Sequence, residues 1–226
     1  MSFDLDFALG LLPTMTKYMG VTLSLASLSI MSGLILAFFI ALTVHSRVPL
    51  LYRFFRVYIS FFRGTPLVAQ LFCLYFGLLP AFPSITLRIS SFQAALIVMS
   101  LNSSAYMAES LRGAISSIDR GQMEAAMSVG MTYFQAMRRI ILPQAFRVAL
   151  PTLCSSFINV LKDTSLTFYI GVKEMMATAQ LEAASSYRYL EAFIDVLLIY
   201  WLLTSLLGFA SRKLEQRMNH MEGKVR

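Results

Sequence analysis

From Tyr18 to Val44 the chain runs for 27 residues without a charged side chain. About 30 Å of hydrocarbon needs roughly 20 helical residues at 1.5 Å each, so this run can cross a bilayer. Four more apolar stretches follow, over residues 64–79, 89–110, 148–172 and 192–210. The composition fits a lipid setting: 57% of residues are hydrophobic and 14% are charged, where soluble domains carry about 25%. No strand signal competes. The expected fold is all-α, a polytopic membrane protein with five transmembrane helices in one domain covering residues 1–226. Residues 1–17, with Asp4, Asp6 and then Lys17, lack the basic start and small-residue cleavage site of a signal peptide. They read as an amphipathic lead-in. Gly20, Ser24, Ser27, Ser32 and Gly33 permit close helix contacts along the first span.

Several segments depart from plain hydrophobicity. Arg53, Arg56, Ser60 and Arg63 fall three and four apart and share one helix face. That face suits phosphate head groups at the membrane interface, or a docking surface for a cytosolic partner. This helix can run into the second span, which starts near Thr65-Pro66, contains Gln70 and ends at Pro80 and Pro83. The third span carries Gln93, Ser100, Asn102, Ser103 and Ser104, each of which needs a partner or a watery cavity in hydrocarbon. Glu109 and Arg112 at its end are spaced to pair. The fourth span holds Lys162-Asp163 near its middle, and Ser156, Asn159, Asp163 and Thr167 form one polar stripe. A charge at that depth costs about 2.5–3.5 kcal/mol on insertion scales. Either the pair contacts a solute or it braces the bundle. Pro151 and Thr164-Ser165 invite a kink. Residues 173–191 read as a polar outer loop, and Asp195 lies near the outer end of the fifth span.

The basic residues orient the chain. Fourteen of the 19 lysines and arginines fall on one side of a five-span topology, in residues 47–63, 112–147 and the tail after Ser211. That side is cytosolic, so the N-terminus is expected outside and the C-terminus inside.

Between the third and fourth spans lies an amphipathic stretch, Asp119 to Pro143, which reads as two short helices meeting at Gly130. Asp119 can cap the first, with Gln122 three residues on able to reach back; Thr132 and Gln135 repeat the pattern. Gly130 suits a left-handed helix terminator, and Pro143 is expected to stop the second helix.

Glu124-Ala125-Ala126, three residues, Gly130, nine residues, Ile140, one residue and Leu142-Pro143 resemble the EAA loop of the permease subunits of bacterial ABC importers. Phe61 to Leu71, Tyr106 to Glu109 with Arg112, and Lys162 to Leu166 resemble the polar amino-acid branch of that family, the L-cystine permeases most. The likeness covers roughly residues 15–212. It implies a cell-membrane location, a second permease copy (the same chain or a paralogue), two ATP-binding cassette ATPase subunits and an extracytoplasmic solute-binding protein. Glu124, Ala125, Ala126, Gly130, Ile140, Leu142 and Pro143 would form the cytosolic coupling loop that docks on an ATPase. ATP-driven closure of two such loops would tilt the spans between inward-open and outward-open states.

An amino-acid solute offers an ammonium and a carboxylate, so a pathway wants one acidic group and several polar ones. Asp163, Ser156, Asn159, Asn102 and Lys162 are the candidates, with Asp163 taking the ammonium. Relatives that carry basic amino acids imply a carboxylate near Ser156, so serine there disfavours a strongly cationic solute. Glutamine, histidine or arginine remain alternatives to L-cystine. No catalytic residue, metal site or cofactor is expected. His45 and His220 have no companion ligands, Cys73 and Cys154 lie far apart in apolar runs, and no phosphate-binding loop motif is present. The arginines of the hairpin raise a nucleic-acid-binding regulator as an alternative, but Ala125, Met127, Val129 and Met131 leave little to read a base or a phosphate. No nucleic-acid partner is expected. A passive channel is the third alternative.

Overall fold

The computed structural model describes residues 3–82 and 89–223, with side chains as far as Met218. Pro83, Arg88, Lys224 and Arg226 lie outside the described residues. Among those described there is no strand. The elements are α1 (Leu5–His45), α2 (Leu51–Gly64), α3 (Leu67–Ala81), α4 (Ser91–Ser116), α5 (Arg120–Ser128), α6 (Tyr133–Ile170), α7 (Met175–Ser186) and α8 (Tyr189–Gly223).

The lead-in and the first span are one helix. Asp4 caps α1 by accepting the Phe7 N–H at 2.9 Å, and the helix continues through Pro13 to His45. By length and composition α1, α6 and α8 can each cross a membrane, and the pair α2–α3 would be a fourth crossing. That pair is bent by 109° at Thr65-Pro66, so the arginine-bearing helix turns sharply and does not run straight into the second span. The residue before a proline is pushed out of the helical region, and Thr65 is extended. α4 is 26 residues long, ample for a crossing, but Gln93, Ser100, Asn102, Ser103 and Ser104 interrupt its apolar run.

Asn102, Ser103 and Ser104 are buried, Ser100 is half-buried and Gln93 is exposed. Ser100 Oγ donates to Leu96 O and lies 2.7 Å from Ser32 Oγ of α1. Ser103 Oγ donates to Ser100 O, with Ser29 O at 3.4 Å, and Ser104 Oγ donates to Leu101 O. Tyr58 of α2 donates to Leu101 O at 2.8 Å and meets Ser104 Oγ at 2.7 Å. Small residues bring α1 and α4 together: a Cβ built on Gly33 would sit 3.1 Å from Ser100 O and 3.1 Å from Met107 Cε.

Three apolar clusters stack along the bundle. One joins Ile40 and Val44 to Leu111, Ile115 and Ile141; a second joins Leu25 to Leu71, Met99 and Leu161; a third joins Leu11 and Met15 to Met175 and Val196. The third exists because residues 173–191 are not an open loop. α7 packs there, its alanines Ala177, Ala179 and Ala183 buried against the start of α1 and α8. At that end the Asp4 N–H donates to Glu191 Oε1 at 3.0 Å and Asp4 pairs with Arg188. The far ends of α1 and α4 and the start of α6 meet α5 around His45, Ser116, Asp119 and Tyr133, and Met218 of α8 lies beside Phe38 and Pro143.

Gly33→Leu is expected to lower the thermal midpoint of the detergent-solubilised protein, consistent with an overpacking penalty of about 1–3 kcal/mol. Gly20→Leu, at a site where a Cβ meets nothing within 4 Å, should leave it unchanged. Differential scanning fluorimetry of the two variants compares them directly.

Candidate functional site: the helical hairpin and the polar face of α6

The hairpin holds its shape through its caps. Asp119 Oδ1 accepts the Gly121 N–H at 2.7 Å. The expected return bond from the Asp119 N–H to the Gln122 side chain is not formed, and the Gln122 backbone N–H bonds Asp119 O at 3.1 Å. α5 ends in a Schellman arrangement: Met131 N–H bonds Ala126 O at 3.1 Å and Gly130 N–H bonds Met127 O at 3.0 Å. This requires a left-handed residue, and Gly130 has φ +83°. No atom lies within 4 Å of the Cβ that Gly130 lacks, so the glycine is demanded by the backbone turn and not by tight packing of the two helices. Thr132 and Gln135 form a complete capping box.

Pro143 does not stop the second helix. α6 passes through it without interruption for 38 residues. Ahead of the proline the five residues Met137–Ile141 form a π turn, closed by Leu142 N–H on Met137 O. Proline in an ordinary helix clashes with the carbonyl four residues back, and the wider turn removes that carbonyl from the ring's path. The motif divides in two. Ala126 is buried, and Ile140 and Leu142 pack on the apolar cluster at this end. Glu124, Ala125, Gly130 and Pro143 are exposed. Beside them stand Val129 and Phe134, 76% and 70% exposed. Sequence reasoning did not single these two out as contacts, although large exposed apolar side chains beside a charged turn are a signal for a partner.

Of the pathway candidates, the structure gathers four on one helix and takes the fifth away. Asn159 and Lys162 are exposed on α6, and Ser156 and Asp163 are half-buried beside them. Ser156 Oγ donates to Thr152 O at 2.9 Å. Among the described residues no hydrogen bond or ion pair joins Lys162 to Asp163, so the two do not satisfy each other. From Thr164 to Ile170 the helix tightens to 3₁₀ geometry; Thr164, Ser165 and Thr167 each donate to the carbonyl three residues back. The expected irregularity at Thr164-Ser165 is this tightening, and Gly171 at φ +86° ends it.

Asn102 is buried at the α2–α3 break. Its Nδ2 donates to Phe62 O at 3.2 Å and to Gln70 Oε1 at 3.0 Å. Gln70 Nε2 donates to Phe62 O, Thr65 O and Thr65 Oγ1. The two amides supply donors to carbonyls that the broken helix leaves free, so Asn102 holds the bend and its donors are engaged there. Glu109 and Arg112 pair as their spacing predicts.

A buried polar knot was not foreseen. Glu174, fully enclosed, caps α7 by accepting the Ala177 N–H at 2.7 Å and accepts Tyr200 OH at 3.0 Å, with Thr22 Oγ1 at 3.4 Å. Tyr200 OH in turn lies 3.4 Å from Thr164 Oγ1. This knot ties α1, α7 and α8 to the end of α6. Its sequence signal is a glutamate directly ahead of the helical run MMATAQLEAA. Among the described residues no three His, Cys, Asp or Glu side chains are grouped to hold a metal.

Residues 15–220 match the family model described as binding-protein-dependent transport system inner membrane component. The probable amino-acid ABC transporter permease protein PatM of Vibrio harveyi is 53% identical over 201 residues, 89% of this chain and 90% of that protein. The L-cystine transport system permease protein TcyL of Bacillus subtilis (strain 168) is 37% identical over 228 residues, 99% of this chain and 95% of that protein. The crystal structure of an amino acid ABC transporter with histidines superposes with a TM-score of 0.88 at 34% identity, covering 96% of this chain and 100% of that one.

Gly130→Val is expected to loosen the hairpin, because a left-handed conformation costs a non-glycine residue about 1–2 kcal/mol. Gly130→Asn should be milder. Amide exchange of the Gln122–Val129 segment should quicken in the order Gly, Asn, Val while protection in α4 stays constant.

Proposed function

The chain belongs to the family of binding-protein-dependent transport system inner membrane components, and from that premise we propose that it is the membrane-spanning subunit of an importer for polar amino acids, with L-cystine the leading solute. The family implies a separate ATPase subunit and a binding protein, so ATP is hydrolysed outside this chain. In our reading two permease copies pair, each seats its Glu124 to Gly130 elbow on one of two ATPase subunits, and the binding protein delivers the solute from the opposite side.

One observation carries the reading. The polar stripe lies on the helix that leaves the elbow: α6 begins at Tyr133, three residues after Gly130, and reaches Ile170, a length of about 57 Å at 1.5 Å per residue. A continuous helix of that length carries a displacement at the ATPase toward Asn159, Lys162 and Asp163. These groups are exposed or half-buried in the single chain, at a depth where lipid would penalise them. A second copy facing them would turn the stripe into the wall of a central path. Asp163 then receives the solute ammonium, and Ser156 and Asn159 offer hydrogen bonds. Uncharged Ser156 in that wall disfavours a strongly cationic solute.

The orientation follows the same logic. The Asp4 end of α1 lies with Arg188 and Glu191, and the His45 end of α1 lies with the hairpin. If the hairpin is cytosolic, as the excess of arginine and lysine on its side requires, the N-terminus is outside and the C-terminal end of α8 is inside. α1, α3, α4, α6 and α8 are then the five crossings.

Uptake into proteoliposomes with the ATPase and binding protein present should require ATP and be competed by excess unlabelled L-cystine. Gly130→Val should reduce uptake roughly tenfold or more while the protein still inserts and folds. Asp163→Ala should raise the apparent KM for solute by roughly 10–100-fold, the range for a lost hydrogen bond to a charged group. Unchanged KM and rate in Asp163→Ala would make that residue a brace. ATP-independent uptake would replace the importer with a channel.

A further inference from the structure

Where α1, α2, α4 and α5 meet, a concave site of about 290 Å³ is lined by His45, Arg47, Tyr52, Arg56, Arg112 and Arg120, with Val44 and Ser116. Four guanidinium groups from four different segments converge on it. Arg112 is paired with Glu109. Glu109 also feels Arg56 and Arg63. Arg47 and Arg120 have no carboxylate partner among the described residues, and the nearby Asp119 carboxylate is committed to the Gly121 N–H. The site therefore holds more positive charge than its own acids neutralise.

The surroundings supply the other half of a ligand. Arg47 and Leu50 both sit in the left-handed region, at φ 50° and 67°, in the turn between α1 and α2. This turn aims Leu50 outward at 82% exposure, and Leu51, Phe54 and Val57 continue the exposed apolar face along α2. Arg47, Tyr52 and Arg53 bridge the basic site to that face through an adjoining hollow with Pro49 and Leu50. Charge for a phosphate and an apolar strip for acyl chains are thus continuous. We infer that this site binds the head group of an anionic phospholipid from the leaflet on the hairpin side, fixing α2 in the interface. Guanidinium forks match phosphate oxygens, and basic pockets beside transmembrane helices suit acidic head groups. The inference does not depend on which solute is carried.

The test uses the full chain assembled with its partner subunits, in nanodiscs of phosphatidylcholine alone or of equal parts phosphatidylcholine and phosphatidylglycerol. The retained lipid is read by native mass spectrometry after release into detergent. Wild type should retain phosphatidylglycerol roughly tenfold over phosphatidylcholine, given the attraction of each basic residue for an acidic surface. Arg47→Gln with Arg120→Gln should bring that preference to near unity. Arg47→Lys with Arg120→Lys should keep most of it, and Lys213→Gln with Arg217→Gln, which removes the same charge from the tail, should keep all of it. Equal retention by the Arg47→Gln, Arg120→Gln variant would overturn the inference. So would loss of the lipid to millimolar inorganic phosphate, which would mark a site for free anion. Loss of the ATPase subunit from that variant in both lipid compositions would assign the arginines to protein docking instead.

Discussion

Hydrocarbon offers no hydrogen bonds, so every polar group carried into it must find its partner within the protein. That constraint explains why α4 is at the centre. It carries Asn102 and a run of serines along its middle, and its serine hydroxyls close onto its own carbonyls or onto α1 and Tyr58. Had α4 faced lipid, Asn102 and the Leu101 carbonyl region would have lacked their donors and acceptors. α1 lies along it at the close approach of Gly33, α2 crosses one end, and α6 packs beside it. Among the buried side chains described, Ser29 Oγ and Asp195 Oδ2 are the exceptions with no partner.

The same constraint shapes the two places where helices break. At Thr65-Pro66 the Gln70 and Asn102 amides stand in for missing backbone donors. At the end of α6 threonine and serine hydroxyls do so, and the Glu174 knot anchors the stretch from behind. α6 is therefore fixed at its far end and docked, in our reading, at its near end. A push on the elbow can tilt it but finds no slack joint in which to dissipate.

Much of this was legible in the residues. Apolar run length gave the helical class and the rough positions of the long helices. The Thr132 and Gln135 spacing gave a capping box, Gly130 gave the left-handed terminator, and Glu109 with Arg112 gave a pair. What escaped was tertiary. Pro143 looks like a stop because a one-dimensional reading assumes 3.6 residues per turn, and the π turn at Met137–Ile141 breaks that assumption. Asn102 looks like a solute contact because its neighbours across the α2–α3 bend lie 32 and 40 residues away in sequence. Residues 173–191 look like a loop because mixed charge suggests exposure, whereas Glu174 is a cap held inside the bundle. The stripe of Ser156, Asn159 and Asp163 was visible from spacing alone, since helical periodicity needs no tertiary knowledge, whereas Thr167, expected on the same stripe, is buried.

The π turn ahead of Pro143 has a geometric consequence. Each residue in a helix adds 1.5 Å of length and about 100° of rotation. A turn that holds one surplus residue therefore acts as an indexing step between the hairpin end of α6 and its polar stripe. Lengthening or shortening that turn by one residue would swing Asn159 and Asp163 about a quarter of a revolution while leaving the caps of the elbow as they are. Related chains could thereby present a different set of side chains on this helix while keeping the same hairpin.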